Sequence, residues 1–188
     1  MFGNLRLGCA IGLLALLAAP AGADEFADTV TLFKNAGESG KFFDTAYGYA
    51  VFPTIGKGGV VVGGAYGSGR VFERGRPIGD ATVTQLSVGF QLGGQAYSEI
   101  IFFEAARALR AFTGGHFEFG ADASVVAITA AANAKASTTG SSAGISGGRK
   151  DAATVGKYQR GMATFTVAKG GLMYEASLAG QRFTFKRR

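Results

Sequence analysis

Few side chains in this 188-residue chain have types and spacings suited to catalysis. His116 is the single histidine. Hydrolytic zinc sites use two or three such ligands, so imidazole chemistry here is limited to one donor. Gly140-Ser141-Ser142-Ala143-Gly144 and Gly144-Ile145-Ser146-Gly147-Gly148 both have the form G-x-S-x-G. A nucleophile elbow needs a strand before it and a helix after it. Both matches fall in a polar, low-complexity tract, where composition accounts for them, and nothing in the sequence supports a serine pairing with His116. Glu118 with Asp122, and Glu99 with Glu104, are the carboxylate pairs available for general acid–base work. In a strand-rich chain such groups are more commonly solvated or hydrogen-bonded. No G-x-x-x-x-G-K-[ST] loop occurs, and the glycines of 58–69 lack the G-x-G-x-x-G spacing. The expectation is a protein that is not an enzyme, with no metal site and no cofactor.

Cys9 is the only cysteine, and it lies in a segment with the three-part pattern of an export signal. Arg6 supplies the positive charge, Leu7 to Ala19 is uncharged and apolar, Pro20 breaks the run, and Ala21-Gly22-Ala23 offers small residues before Asp24-Glu25. The run is too short for the roughly 20 residues that cross a bilayer. Cys9 precedes most of it, which argues against an acylated N-terminus. Residues 1–23 are therefore expected to be a cleaved signal peptide and 24–188 a single domain, periplasmic or secreted. Cleavage removes thiol chemistry altogether.

The charge balance carries more information. The chain is basic, formally +6. Lys57 and Lys169 precede Gly-Gly pairs, and Arg70, Arg74 and Arg76 crowd one hairpin. Arg149, Lys150, Lys157 and Arg160 surround the end of the polar tract, and Lys186-Arg187-Arg188 closes the sequence. Such a surface favours anionic partners: lipid head groups, nucleic acid or acidic polymer. Export disfavours nucleic acid.

The elements that must position these residues are mainly strands. Glycine supplies 31 residues, well above the usual share of about 7%. There is no tryptophan, but there are 16 phenylalanines. Residues 25–36 and the stretch after Ser39-Gly40, with Phe42, Phe43 and Tyr47, predict two short helices, and Pro53 predicts a break. Gly58–Tyr66 then reads as a buried strand, Gly67-Ser68-Gly69 as a turn, Arg70–Arg74 as a return strand and Gly75-Arg76-Pro77 as the next turn. Thr82–Leu92 and Tyr97–Phe103 form the following hairpin, with Gly89 at a bulge or close approach. Glu104–Phe112 is a helix ended by Gly114-Gly115. Strands resume at Phe117–Phe119 and Ser124–Ile128, residues 136–150 form a mobile loop, and Tyr158–Val167, Leu172–Ser177 and Arg182–Lys186 close the fold. The class expected is α+β, mostly antiparallel: a strongly curved, glycine-rich sheet or partial barrel, with short N-terminal helices and one inserted helix.

The stretch from Ala46 to Arg70, AYGYAVFPTIGKGGVVVGGAYGSGR, resembles the opening of the SYLF domain, with its A-x-G-x-x-x-F-P, K-G-G and G-G-x-x-G-x-G elements. Val88–Gly94, Glu99–Phe102, Phe119–Ser124 and the closing Gly170–Leu178 follow in the order of that family, so the likeness spans about 40–186. It implies binding of membrane phospholipids, and in some fungal members of actin filaments. An exported chain would meet lipid but not actin. The tryptophan often found in the second hairpin of that family is absent here, and the resemblance implies no catalytic residues. The expected function is an exported phospholipid-binding module of the cell envelope that engages anionic head groups. Lys41, Lys57, Arg70, Arg74 and Arg76 are the expected head-group contacts. Phe42, Phe43 and Tyr49 either insert into the membrane interface or pack in the core. Two other readings stay open: an envelope assembly protein whose strand edges pair with a partner, and a hydrolase built on His116.

Overall fold

A computed structural model describes residues 21–59, 62–88, 95–120, 126–128, 157–169, 178 and 180–188. The export segment up to Pro20, the polar tract 136–150 and the strand expected at Leu172–Ser177 lie outside these residues.

Three helices open the described chain: α1 (Ala21–Asn35), α2 (Gly37–Gly40) and α3 (Phe42–Thr45). Strands β1 (Gly48–Gly59), β2 (Val62–Glu73), β3 (Arg76–Val88) and β4 (Gln95–Phe103) follow. Helix α4 (Ala106–Thr113) separates them from β5 (His116–Glu118), β6 (Val126–Ile128), β7 (Met162–Lys169) and β8 (Gln181–Arg187). All eight strands form one sheet in the order β5-β8-β3-β2-β1-β4-β7-β6. Six of the seven pairings are antiparallel, and β6 runs parallel to β7. Among the described residues the sheet is not closed into a barrel.

Both faces of the sheet carry a core, because alternate side chains of a strand point to opposite sides. On one face Phe52, Ile55, Val83, Ile101, Phe103 and Phe183 pack with Leu109 and Phe112 of α4. The Phe112 ring lies 5.0 Å from that of Phe103 and 5.1 Å from that of Phe183. On the other face Val51, Ile100, Phe102 and Phe165 meet Phe33 and Phe42 of α1 and α3. The Ser39 hydroxyl is fully buried and donates to the Phe33 carbonyl at 2.6 Å, which ties down the end of α1.

The first hairpin differs from the sequence expectation. Pro53 does not break the chain: β1 runs through it, and the register with both neighbours slips there. Proline is tolerated within a sheet at such irregularities, and the Ser98 hydroxyl donates to the Pro53 carbonyl at 2.7 Å. The stretch Gly58–Tyr66 is not one strand, because β1 ends at Gly59 and β2 begins at Val62. Gly67-Ser68-Gly69 is not a turn but the middle of β2. Those glycines make room rather than a bend. A methyl group at Gly67 would sit 2.7 Å from the Ile55 side chain, and one at Gly69 would press on the Phe52 ring. The two-residue turn is at Arg74-Gly75, with Glu73 paired to Arg76. Both turn residues have positive φ, 48° and 78°, as a type I′ hairpin turn requires.

Candidate basic surface

The hairpin turn presents Arg74 and Arg76, and both are exposed. The Arg74 guanidinium stacks over the Tyr47 ring at 4.9 Å, and its backbone N–H donates to the Tyr47 carbonyl. Tyr47 in turn donates its hydroxyl proton to Glu73 at 2.6 Å, a bond that raises the phenol's pKa. Register carries the end of β8 to the same place. Gly79 pairs with Arg187, and the N–H of Arg188 donates to the Ile78 carbonyl at 3.2 Å. Arg187 and Arg188 are exposed. Arg74, Arg76, Arg187 and Arg188 thus gather at one end of the central strands. Two acidic groups stand among them: Asp80, which accepts from Arg188 at 2.7 Å, and Glu73, which stands opposite Arg76 across the turn and accepts from Tyr47.

The other expected contact residues lie elsewhere. Lys57 pairs with Ala65 and Gln95, nine residues along β1 from Gly48 and therefore about 30 Å from the arginine turn. Lys41 is on the helical side of the sheet, 3.3 Å from Glu38. Arg70 is engaged in the fold: its guanidinium lies 4.4 Å above the Phe26 ring of α1, and its Nε is 3.5 Å from Asp80. Phe42 is buried, with its ring 5.4 Å from Phe102, 5.1 Å from Phe165 and 5.0 Å from Tyr158. Phe43 packs edge-on to Tyr49 and Phe102, and Tyr49 stacks on Phe72 at 4.8 Å. Phe42 belongs to the core beneath α1–α3, and Phe43 and Tyr49, half-buried, pack against it. The five cations do not form one patch. Arg187 and Arg188, visible in the sequence only as a terminal charge run, join Arg74 and Arg76 because β8 pairs with β3.

His116 is exposed on β5, and Glu118 is ion-paired with Arg182 at 3.0 Å. The three serines of the G-x-S-x-G matches and Asp122 lie outside the described residues. Glu99 is fully buried and Glu104 is exposed. Among the described residues no group of three or more His, Cys, Asp or Glu is placed to hold a metal ion. No helix among them is long and apolar enough to cross a membrane.

Residues 84–188 match the protein family described as Ysc84, Las17-binding protein actin regulator. That range holds more than half of the chain, including β4 to β8, α4 and the Arg187-Arg188 pair. The chain belongs to the Ysc84 family. This is the family of the SYLF domain, so the resemblance carried by the motifs holds. The chain is also 26% identical over 162 residues to beta cell expansion factor A of Aeromonas veronii. The match covers 84% of this chain but 53% of that relative, so the chain spans about half the length of the curated protein it matches. The Ysc84 match begins at Thr84, within β3, so the turn arginines precede it while the β8 arginines fall inside it.

Proposed function

We propose that this chain is an exported phospholipid-binding module of the cell envelope, and not an enzyme, that holds anionic head groups at the arginine end of its sheet. The observation that carries the reading is the convergence of Arg74, Arg76, Arg187 and Arg188 on one end, beside Asp80, which accepts from Arg188, and Glu73, which accepts from Tyr47. Family membership supports it, since lipid or actin binding is associated with the relatives. A periplasmic or secreted location follows from the N-terminal pattern and leaves lipid as the accessible partner. We also take the sheet to be strongly curved. This rests on the hydrogen bond between Gln181 and Glu99 across three intervening strands.

Each basic residue near an anionic membrane contributes about 1 kcal/mol. Reversing all four arginines to glutamate should weaken binding to anionic vesicles by at least about 10²-fold. Co-sedimentation with vesicles of phosphatidylcholine alone and of phosphatidylcholine with phosphatidylglycerol tests this. Equal binding to both at low salt would overturn the electrostatic reading.

A second reading, an assembly protein acting through protein contacts, draws on Tyr66 and Leu86, which are 60% and 80% exposed. Recovery of a single cross-linked protein partner, lost on Leu86→Glu and with no lipid binding, would favour it.

A further inference from the structure

A cavity of about 610 Å³ lies between α4, β5 and the start of β7. That volume is within the roughly 300–1,000 Å³ of sites that bury small molecules. Its walls are mostly apolar, with Ala108 and Ala111 on α4, Phe117 and Phe119 around β5 and Met162 on β7, and Gln159 and Thr164 are the polar groups among them. Its rim carries charge on Glu104, Arg107 and Arg160, while the rim carboxylate of Glu118 is ion-paired with Arg182.

Two features at the mouth select an anion. Helix α4 starts at Ala105 without a side-chain cap, and its first residues line the cavity. The first N–H groups of a helix favour negative charge, although in α4 that of Ala108 already donates to the Ala105 carbonyl at 3.0 Å. Arg107 is exposed in that first turn, beside them. Glu104 opposes this from the same rim, and its N–H donates to the Gly161 carbonyl at 2.9 Å, which joins the start of α4 to the β7 side.

We infer that this cavity takes an anionic amphiphile with a single acyl chain. The chain lies against Ala108, Ala111, Phe117, Phe119 and Met162. The carboxylate or phosphate sits at the mouth, between Arg107 and the first turn of α4. The choice of an acyl ligand rests on the lipid-binding reading above, but the site shares no residue with the arginine end.

The test is titration of the full chain with parinaric acid, a fluorescent fatty acid, with laurate, lauryl phosphate and dodecanol as competitors. Saturable binding is expected. Laurate or lauryl phosphate, whichever head group the site prefers, should compete at least 10-fold better than dodecanol. Ala111→Trp, at an exposed helix position that lines the cavity, should weaken binding at least 10-fold and leave binding to anionic vesicles within twofold of wild type. Arg107→Ala should weaken laurate, whereas Glu104→Gln should tighten it. Absence of saturable binding by the folded chain, or an Ala111→Trp affinity equal to wild type, would overturn the inference. If circular dichroism shows that Ala111→Trp does not fold, the Arg107 and Glu104 variants decide, and failure of both to shift affinity overturns it. Fatty-acid binding without vesicle binding would sink the membrane reading and leave the cavity site standing, and the reverse result would remove the cavity site alone.

Discussion

Gln181 on β8 donates a hydrogen bond to Glu99 on β4 at 3.1 Å, although β3, β2 and β1 lie between those strands in the sheet. The same amide nitrogen is 3.1 Å from the Tyr97 hydroxyl. Thr166 stands opposite Glu99 on β7. All four side chains are buried. Only one carboxylate oxygen is served: among the described residues Glu99 Oε1 has no hydrogen-bond partner. Burial pushes the Glu99 carboxyl up to about 7 from its ordinary 4.5, and the bond from Gln181 opposes that rise.

Stability should therefore depend on pH in an uncommon direction. A raised pKa means that the folded state holds its proton between about pH 4.5 and 7, where the unfolded chain has released it. Stability then falls as pH rises through that window. The loss is on the order of 3 kcal/mol. Unfolding free energies from urea titration at pH 5 and pH 8 should differ by about that much in wild type, with the lower value at pH 8. Glu99→Gln should flatten the difference, and an unchanged slope in the variant would assign the pH dependence to other groups.

Glycines of the first hairpin should separate into two kinds. A methyl group at Gly69 meets the Phe52 ring and lies 2.8 Å from the Val51 carbonyl, whereas one at Gly58 meets nothing within 4 Å. Gly69→Ala should cost about 1–3 kcal/mol through overpacking. Gly58→Ala should stay within about 0.5 kcal/mol of wild type, as most surface changes do. Equal effects in thermal or urea unfolding would mean that close packing does not fix the glycines of β2.

That contrast also shows why the sequence was legible in some places and not others. Alternation placed β3, and helix-forming residues ended by Gly114-Gly115 placed α4, because local sequence decides those elements. But β3 and β4 do not form the expected hairpin, since β3 pairs with β2 and β8 while β4 pairs with β1 and β7. Gly67 and Gly69 misled, since a glycine that accommodates a neighbour's ring and one that bends the chain look alike in sequence. Pro53 misled because its tolerance depends on a bulge set by two partner strands. The arginine end was half legible. Arg74 and Arg76 stand in a readable turn, but their union with Arg187 and Arg188 needs the β3–β8 pairing, over 100 residues apart. The parallel pairing of β6 with β7 and the cavity beside α4 carry no local sequence signal at all.

Phe42 should behave as a core residue. It touches three aromatic rings and is 7% exposed. Phe42→Ala should cost about 3–5 kcal/mol of stability. At a temperature where the variant remains folded, its affinity for anionic vesicles should match wild type within twofold. A selective loss of vesicle binding at unchanged stability would place the ring in the membrane interface instead.

Arg70 and Arg74 are four residues apart and should part company in function. Arg70 holds α1 to the sheet through Phe26 and leans on Asp80, and its side chain is 20% exposed. Stacking of this kind is worth about 0.5–1 kcal/mol, so Arg70→Ala should lower the unfolding free energy by about that much while vesicle affinity falls less than twofold. Arg74 is exposed at the turn, and its ring contact with Tyr47 is on the surface. Arg74→Ala should leave stability nearly unchanged and weaken binding to anionic vesicles by about fivefold, consistent with about 1 kcal/mol per basic residue. The Arg74 effect should shrink as salt rises from 0.1 M to 1 M, because the screening length falls from about 10 Å to about 3 Å. If Arg70→Ala instead gave the larger loss of vesicle binding, with a salt dependence, the head-group surface would have to be moved from the end of the sheet to the face that carries Arg70.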